Sequence, residues 1–167
     1  MTTDIENRKQ NYLLQKRLVR ETALRYLYQA DFQDDWELSL EKFGLFWEQI
    51  QELEGVGEDS LVTKPRIHAE VEALVAKVSA HRAEIETVFM AVVKNWTLAQ
   101  LRGIDRNILR LATAELMYCP EIPAAAIINE AVEISKDFSH EDAGRFVNGI
   151  LDKVARSCRD IPERAKA

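Results

Sequence analysis

The feature that most constrains this chain is a repeated spacing of apolar residues. Between 140 and 157, Ala143, Phe146, Val147, Ile150, Leu151 and Val154 recur at i, i+3, i+4 and i+7, the stripe of a half-buried α-helix. The same period runs through most of the sequence. Residues 12 to 30 place Ala23, Leu27 and Ala30 on one face, widened by Leu14, Leu18, Leu24 and Tyr26. Trp36, Leu40, Phe43, Phe46, Trp47 and Ile50 predict a helix from 36 to about 53, before Gly55 and Gly57 break the chain. Pro65 suits a first helical turn, followed by Val71, Leu74, Val75 and Val78, and Ile85, Val88, Phe89, Val92 and Trp96 repeat the pattern. Helices are also predicted over 105 to 118 and 124 to 138, with Pro120 and Pro123 bracketing the break between them. No segment alternates as a strand would, so stripes must pack on stripes and the fold class is all-α.

Polar residues punctuate this pattern. Thr97 and Gln100 have capping-box spacing, Trp96 and Leu101 are placed as a hydrophobic staple, and Gly103 closes that short piece. Ser139 can cap the last helix, with Glu141 and Asp142 in its positive first turn. Asn129 and Asn148 are read as amides tying helix ends or neighbouring backbone, and Gly149 as a close helix crossing.

A chain of 167 residues can bury a real core, and one domain is expected over 12–160, with a flexible 1–11 extension and a 161–167 tail. The longest apolar stretches fall well short of the roughly 20 residues that cross a bilayer. The polar start lacks the apolar segment of a secretory signal, and Cys119 and Cys158 suit neither a disulfide framework nor a metal knuckle. A cytoplasmic protein is expected.

A formal net charge of −6 argues against nucleic-acid binding only if it is evenly spread. It is not: residues 1 to 30 hold six basic against three acidic residues, and residues 31 to 62 hold ten acidic residues against Lys42 alone. The remainder is balanced. A basic arm is thus followed by an acidic, aromatic, insert-like segment, and screening over about 8 to 10 Å lets the arm act independently of distant acid, although charge alone leaves open that these Lys and Arg side chains only solvate a helix.

No motif carries catalysis. Glycine-rich phosphate loops, nucleophile elbows and paired helical histidines are absent, and His68, His81 and His140 sit apart. No metal, no cofactor and no enzymatic activity are expected. Glu130 and Glu133, one turn apart, read as a solvated face.

Four phrases in order are more specific. They are Arg20-Glu-Thr-Ala-Leu-Arg-Tyr-Leu-Tyr28, Trp96-x-Leu98-x-x-Leu101, Ile104-Asp-Arg-Asn-Ile-Leu-Arg-Leu-Ala-Thr-Ala-Glu-Leu116, and Ile127-Ile-Asn-Glu-Ala-Val-Glu-Ile-Ser-Lys136 running on to Phe146-Val-Asn-Gly-Ile-Leu-Asp152. Together they resemble the bacterial NusB family of transcription antitermination factors, from about Lys16 to Ala155 with an interruption over roughly 33 to 63. The resemblance implies a fold of about seven helices in two packed bundles. It implies pairing with the small-subunit ribosomal protein NusE, binding of boxA RNA in nascent ribosomal RNA transcripts, and work within the RNA polymerase antitermination complex.

Carried over residue by residue, the resemblance assigns RNA binding to Lys16, Arg17 and Arg20, and to Asp142 and Phe146 at the start of the last helix. Phosphates call for cations, and unstacked bases for an aromatic surface. Phe146 is open to a core reading, and Asp142 to a purely helix-terminal one. NusE binding falls on Tyr28, Asp105 and Glu115; Glu115 interrupts an apolar stripe and must either pair internally or meet a partner.

The sequence departs from the family pattern in its extra polar start with Arg8 and Lys9, in the acidic 31 to 62 segment, and at Leu18, where a third basic residue often stands. Two alternatives remain: an RNA-docking module like those in front of some RNA cytosine methyltransferases, against which the end at Ala167 counts, and a helical scaffold that binds only protein. Self-association is open, because apolar stripes serve core and dimer equally.

Overall fold

A computed structural model describes residues 1–55, 57 and 60–159. The expected 161–167 tail, and Glu58 and Asp59 of the acidic segment, lie outside the described residues. Seven α-helices make up the described fold, with no strand among those residues. They are α1 (Thr2–Gln33), α2 (Leu40–Glu54), α3 (Pro65–Ala80), α4 (Arg82–Met90), α5 (Gly103–Tyr118), α6 (Ala124–Phe138) and α7 (Ala143–Arg159). Where one domain is expected from length, the chain divides into two compact units, Met1–Ser79 and Ala80–Ala167.

In the first unit, α1 begins ten residues before the predicted start, so the 1–11 segment expected as a flexible extension is helical. The physical reason is local: neither Gly nor Pro occurs before Gly44, and nothing interrupts propagation. Asp34 ends the helix in the left-handed region (φ 49°), its N–H donating to the Asp31 carbonyl while that of Asp35 reaches Ala30. The helix predicted from 36 starts at Leu40, because Ser39 caps it by accepting the Lys42 backbone N–H at 3.1 Å.

The acidic, aromatic segment read as insert-like packs into the first unit. One face of α2 forms the core of this unit: Phe46 meets Tyr26 edge-on with ring centres 5.1 Å apart, Phe43 stacks on Trp47 at 6.0 Å, and His68 closes on Trp47 at 4.8 Å. Rings at these distances add about 0.5–1.5 kcal/mol per pair beyond area burial. The acids Glu41, Glu48 and Glu52 lie on exposed positions of the same helix.

In the second unit α5, α6 and α7 pack on one another, with α4 against α5 and α7. Ile108, Leu109, Ile127, Ile134, Val147, Leu151 and Val154 are fully or almost fully buried, each contributing roughly 1.5–3 kcal/mol relative to exposure. The pattern predicted through Trp96 stops early: α4 ends at Met90, Asn95 turns left-handed (φ 70°) and Trp96 is exposed. The capping box is present, Thr97 accepting from the Gln100 backbone and Gln100 from that of Thr97, but it opens only a 3-10 turn over Leu98–Gln100. Arg106 then ties that turn to α5, donating to the carbonyls of Leu98 and Leu101 at 3.1 and 2.9 Å. Gly103, expected to close the turn, is the first residue of α5.

The structure departs from three further expectations. Ser139 does not cap α7, which begins four residues later; its hydroxyl donates to Asp105 instead. Gly149, expected at a close helix crossing, faces open space, and at Gly144 an added Cβ would make only an ordinary contact with Val132 at 3.5 Å. Asn129 and Asn148 are exposed rather than tied into helix ends.

Candidate functional site

In the first unit the candidate site is the α1 edge. Lys16 is half-buried, with its Nζ 3.4 Å from both carboxylate oxygens of Glu70 on α3 and 5.5 Å above the Tyr12 ring. Glu70 also accepts from Arg66 Nε at 3.1 Å, so one carboxylate gathers two cations from two helices. Arg17 is half-buried as well, whereas Arg20 is 9% exposed, the least accessible of the three cations predicted for RNA. All three have interactions within the protein. Tyr28, predicted for the partner surface, is 42% exposed, while its neighbours Tyr26 and Leu27 are buried. The i, i+1 offset explains the difference, since consecutive residues on a helix point about 100° apart.

In the second unit, Asp105 and Glu115 are buried, at 4% and 3% exposure. Asp105 accepts the Ser139 hydroxyl at 2.7 Å and lies 3.7 Å from His140 Nε2. With Trp96, Arg102, His140, Asp142 and Phe146 it lines a cleft of about 270 Å³. Asp142 is exposed, and Phe146, alone in the α7 stripe, is half-buried at the cleft rather than in the core. An aromatic wall with a cation and carboxylates beside it suits a flat, polar-edged ligand, since rings stack on bases and carboxylates accept from their amino groups.

Other polar groups were missed by the sequence reading. Arg110, buried on α5, donates to Glu86 on α4 from Nε at 3.0 Å and to the Asn107 side chain at 2.8 Å, while Asn107 Nδ2 reaches the Gly103 carbonyl at 2.8 Å. Arg159 donates to the carbonyls of Leu116, Glu115, Cys119 and Ile122, closing the carboxyl end of α5 and the turn after it. Tyr118 donates to Glu84 at 2.6 Å and stacks on His81 at 4.3 Å. The bond to Glu84, assisted by burial, pushes the Tyr118 phenol up to about 12. Apart from the local Arg110–Asn107 and Asn107–Gly103 bonds, nothing in the spacing of these residues announces the hydrogen-bonded pairs, which bridge 24 to 44 positions. Among the described residues no cluster of His, Cys, Asp and Glu could hold a metal ion, and no helix is long and apolar enough to cross a membrane.

Known proteins share these elements. The sequence model of the NusB family matches residues 17–156. The transcription antitermination protein NusB of Desulfotalea psychrophila (strain LSv54 / DSM 12343) is 36% identical over 144 residues, covering 86% of this chain and 97% of the relative. Among solved structures, NusB of T. maritima matches with a TM-score of 0.67 at 29% identity, over 84% of this chain and 89% of that one. A chain from the crystal structure of antitermination factors NusB and NusE in complex with dsRNA shares the fold, with a TM-score of 0.68 at 24% identity, over 86% of this chain and 97% of that one. The matched segment opens at Arg17 on α1 and runs past the cleft on α7, so the sequence phrases, the helices that carry them and the relatives agree: this chain belongs to the NusB family.

Proposed function

We propose that this chain is a non-catalytic, cytoplasmic transcription antitermination factor. It pairs with the ribosomal protein NusE, and the pair binds boxA RNA of nascent ribosomal RNA transcripts and helps RNA polymerase pass terminators. The observation that carries this reading is the family match over residues 17–156, joined by relatives named as transcription antitermination proteins. A solved structure of the same fold family, in which NusB and NusE are complexed with dsRNA, supports both partners.

Within that reading, Lys16 and Arg17 meet phosphate, while Arg20 acts through its field because little of it reaches solvent. The cleft beside Asp142 and Phe146 takes a base, with Phe146 as stacking wall and Asp142 as acceptor for an amino edge. Tyr28 is the direct NusE contact, and buried Asp105 and Glu115 hold the shape of the second unit.

The test is affinity for a boxA-like RNA with and without NusE across a salt series. Salt-dependent binding that NusE strengthens is expected. RNA binding absent under every condition would leave the protein-only scaffold.

A further inference from the structure

The helix upstream of the family segment has no burial to perform. Residues 1–14 are exposed throughout, although they form the start of α1, and the NusB family match begins only at residue 17. This stretch carries Arg8, which pairs with Asp4 at 3.1 Å, Lys9, opposite in charge to Glu6, and Tyr12, and the i, i+4 spacing puts Arg8, Tyr12 and Lys16 along one side. Tyr12 keeps 53% of its surface in water, with Lys16 Nζ poised 5.5 Å from its ring centre.

Folding adds what the sequence could not place. Glu70 draws Arg66, whose side chain is 67% exposed, to the same carboxylate as Lys16, and Lys64 stands exposed just before Pro65. One carboxylate between two cations leaves excess positive charge beside an open aromatic ring. That combination fits single-stranded RNA: bases stack on an aromatic face, and flanking phosphates settle on the cations.

We propose that Tyr12, Lys16 and Arg66, continued by Arg8 and Lys9, form an RNA platform that lengthens the footprint of this chain beyond the family segment. Its ligand is single-stranded RNA flanking the boxA element, and the proposal rests on the reading that the chain binds RNA. A second copy fits less well. Ile5 and Tyr12 are seven residues apart, but Arg8 and Lys9 occupy the positions between them that a coiled-coil seam would need apolar.

The experiment uses the full chain with NusE and two RNAs, a boxA-like strand and the same strand extended by a uridine run at either end. Tyr12→Ala is expected to weaken the extended RNA about tenfold, to spare the short one, and to leave helicity unchanged, while Tyr12→Phe binds as wild type. Arg66→Ala is expected to lower the salt slope for the extended RNA by about 0.7, the loss of one phosphate contact. Wild-type affinity for the extended RNA in both Ala variants, with Arg17→Ala still weakened on the short RNA, would overturn the platform while keeping the function. Loss of self-association in Tyr12→Ala with RNA binding intact would overturn it in favour of a second copy. If the wild type bound neither RNA, both readings would fall together.

Discussion

The Ser139 hydroxyl donates to the Asp105 carboxylate at 2.7 Å, joining the end of α6 to the first turn of α5. The residue expected to begin one helix therefore secures a buried acid on another. Asp105 is 4% exposed, so losing a donor leaves a desolvated carboxylate short of one bond. Ser139→Ala is expected to destabilise the protein by about 1.5–3 kcal/mol, the range for hydrogen bonds to charged groups, read as an earlier denaturant midpoint. An unchanged midpoint would show that solvent replaces the hydroxyl.

Glu115 and Tyr28 share a predicted partner role but not a setting. At 3% exposure, Glu115→Lys buries a cation where a carboxylate had its interactions and should cost about 3–5 kcal/mol, with visible loss of helicity. Tyr28→Ala should leave the melting temperature nearly unchanged and weaken NusE capture, because its side chain is already substantially in water. Circular dichroism and NusE titration on both variants separate the cases, and a well-folded Glu115→Lys that only loses NusE would reverse the assignment.

The four tyrosines should not titrate together. Burial raises the Tyr26 phenol, and the Tyr118 phenol is pushed up to about 12 chiefly by its bond to Glu84. Because the folded value of Tyr118 lies above the ordinary 10, its stabilising effect is fully present below pH 10 and is lost as pH rises toward 12. Absorbance titration should show a late phenolate step that Tyr118→Phe removes; its survival in that variant would assign it to Tyr26.

Gly149 has nothing within 4 Å of an added Cβ and sits inside α7. Gly149→Ala should raise stability by about 0.5–1 kcal/mol through helix propensity alone. Destabilisation would mean that α7 needs the glycine for an approach absent from the folded monomer, such as a bound partner.

Legibility followed the range of the physics. The stripes on α5, α6 and α7 were readable because a helical period is a local property, and each apolar residue points where its neighbours three and four positions away point. Pro65 and the Thr97–Gln100 box likewise act within one turn. Trp96 misled because its spacing continues a helix that has already ended at Met90, and the left-handed turn at Asn95 just before it is a backbone choice periodicity does not record.

The chain's own sequence determined an all-α protein of the NusB family, with a basic start and an acidic, aromatic segment after it. Only tertiary structure decided that this segment is core, that Phe146 leaves its stripe for a cleft, that Arg20, Asp105 and Glu115 are buried, and that Arg66 stands with Lys16. The reason is that burial and ion pairing depend on which helix faces meet across long separations, and the energy of those meetings belongs to pairs of distant residues.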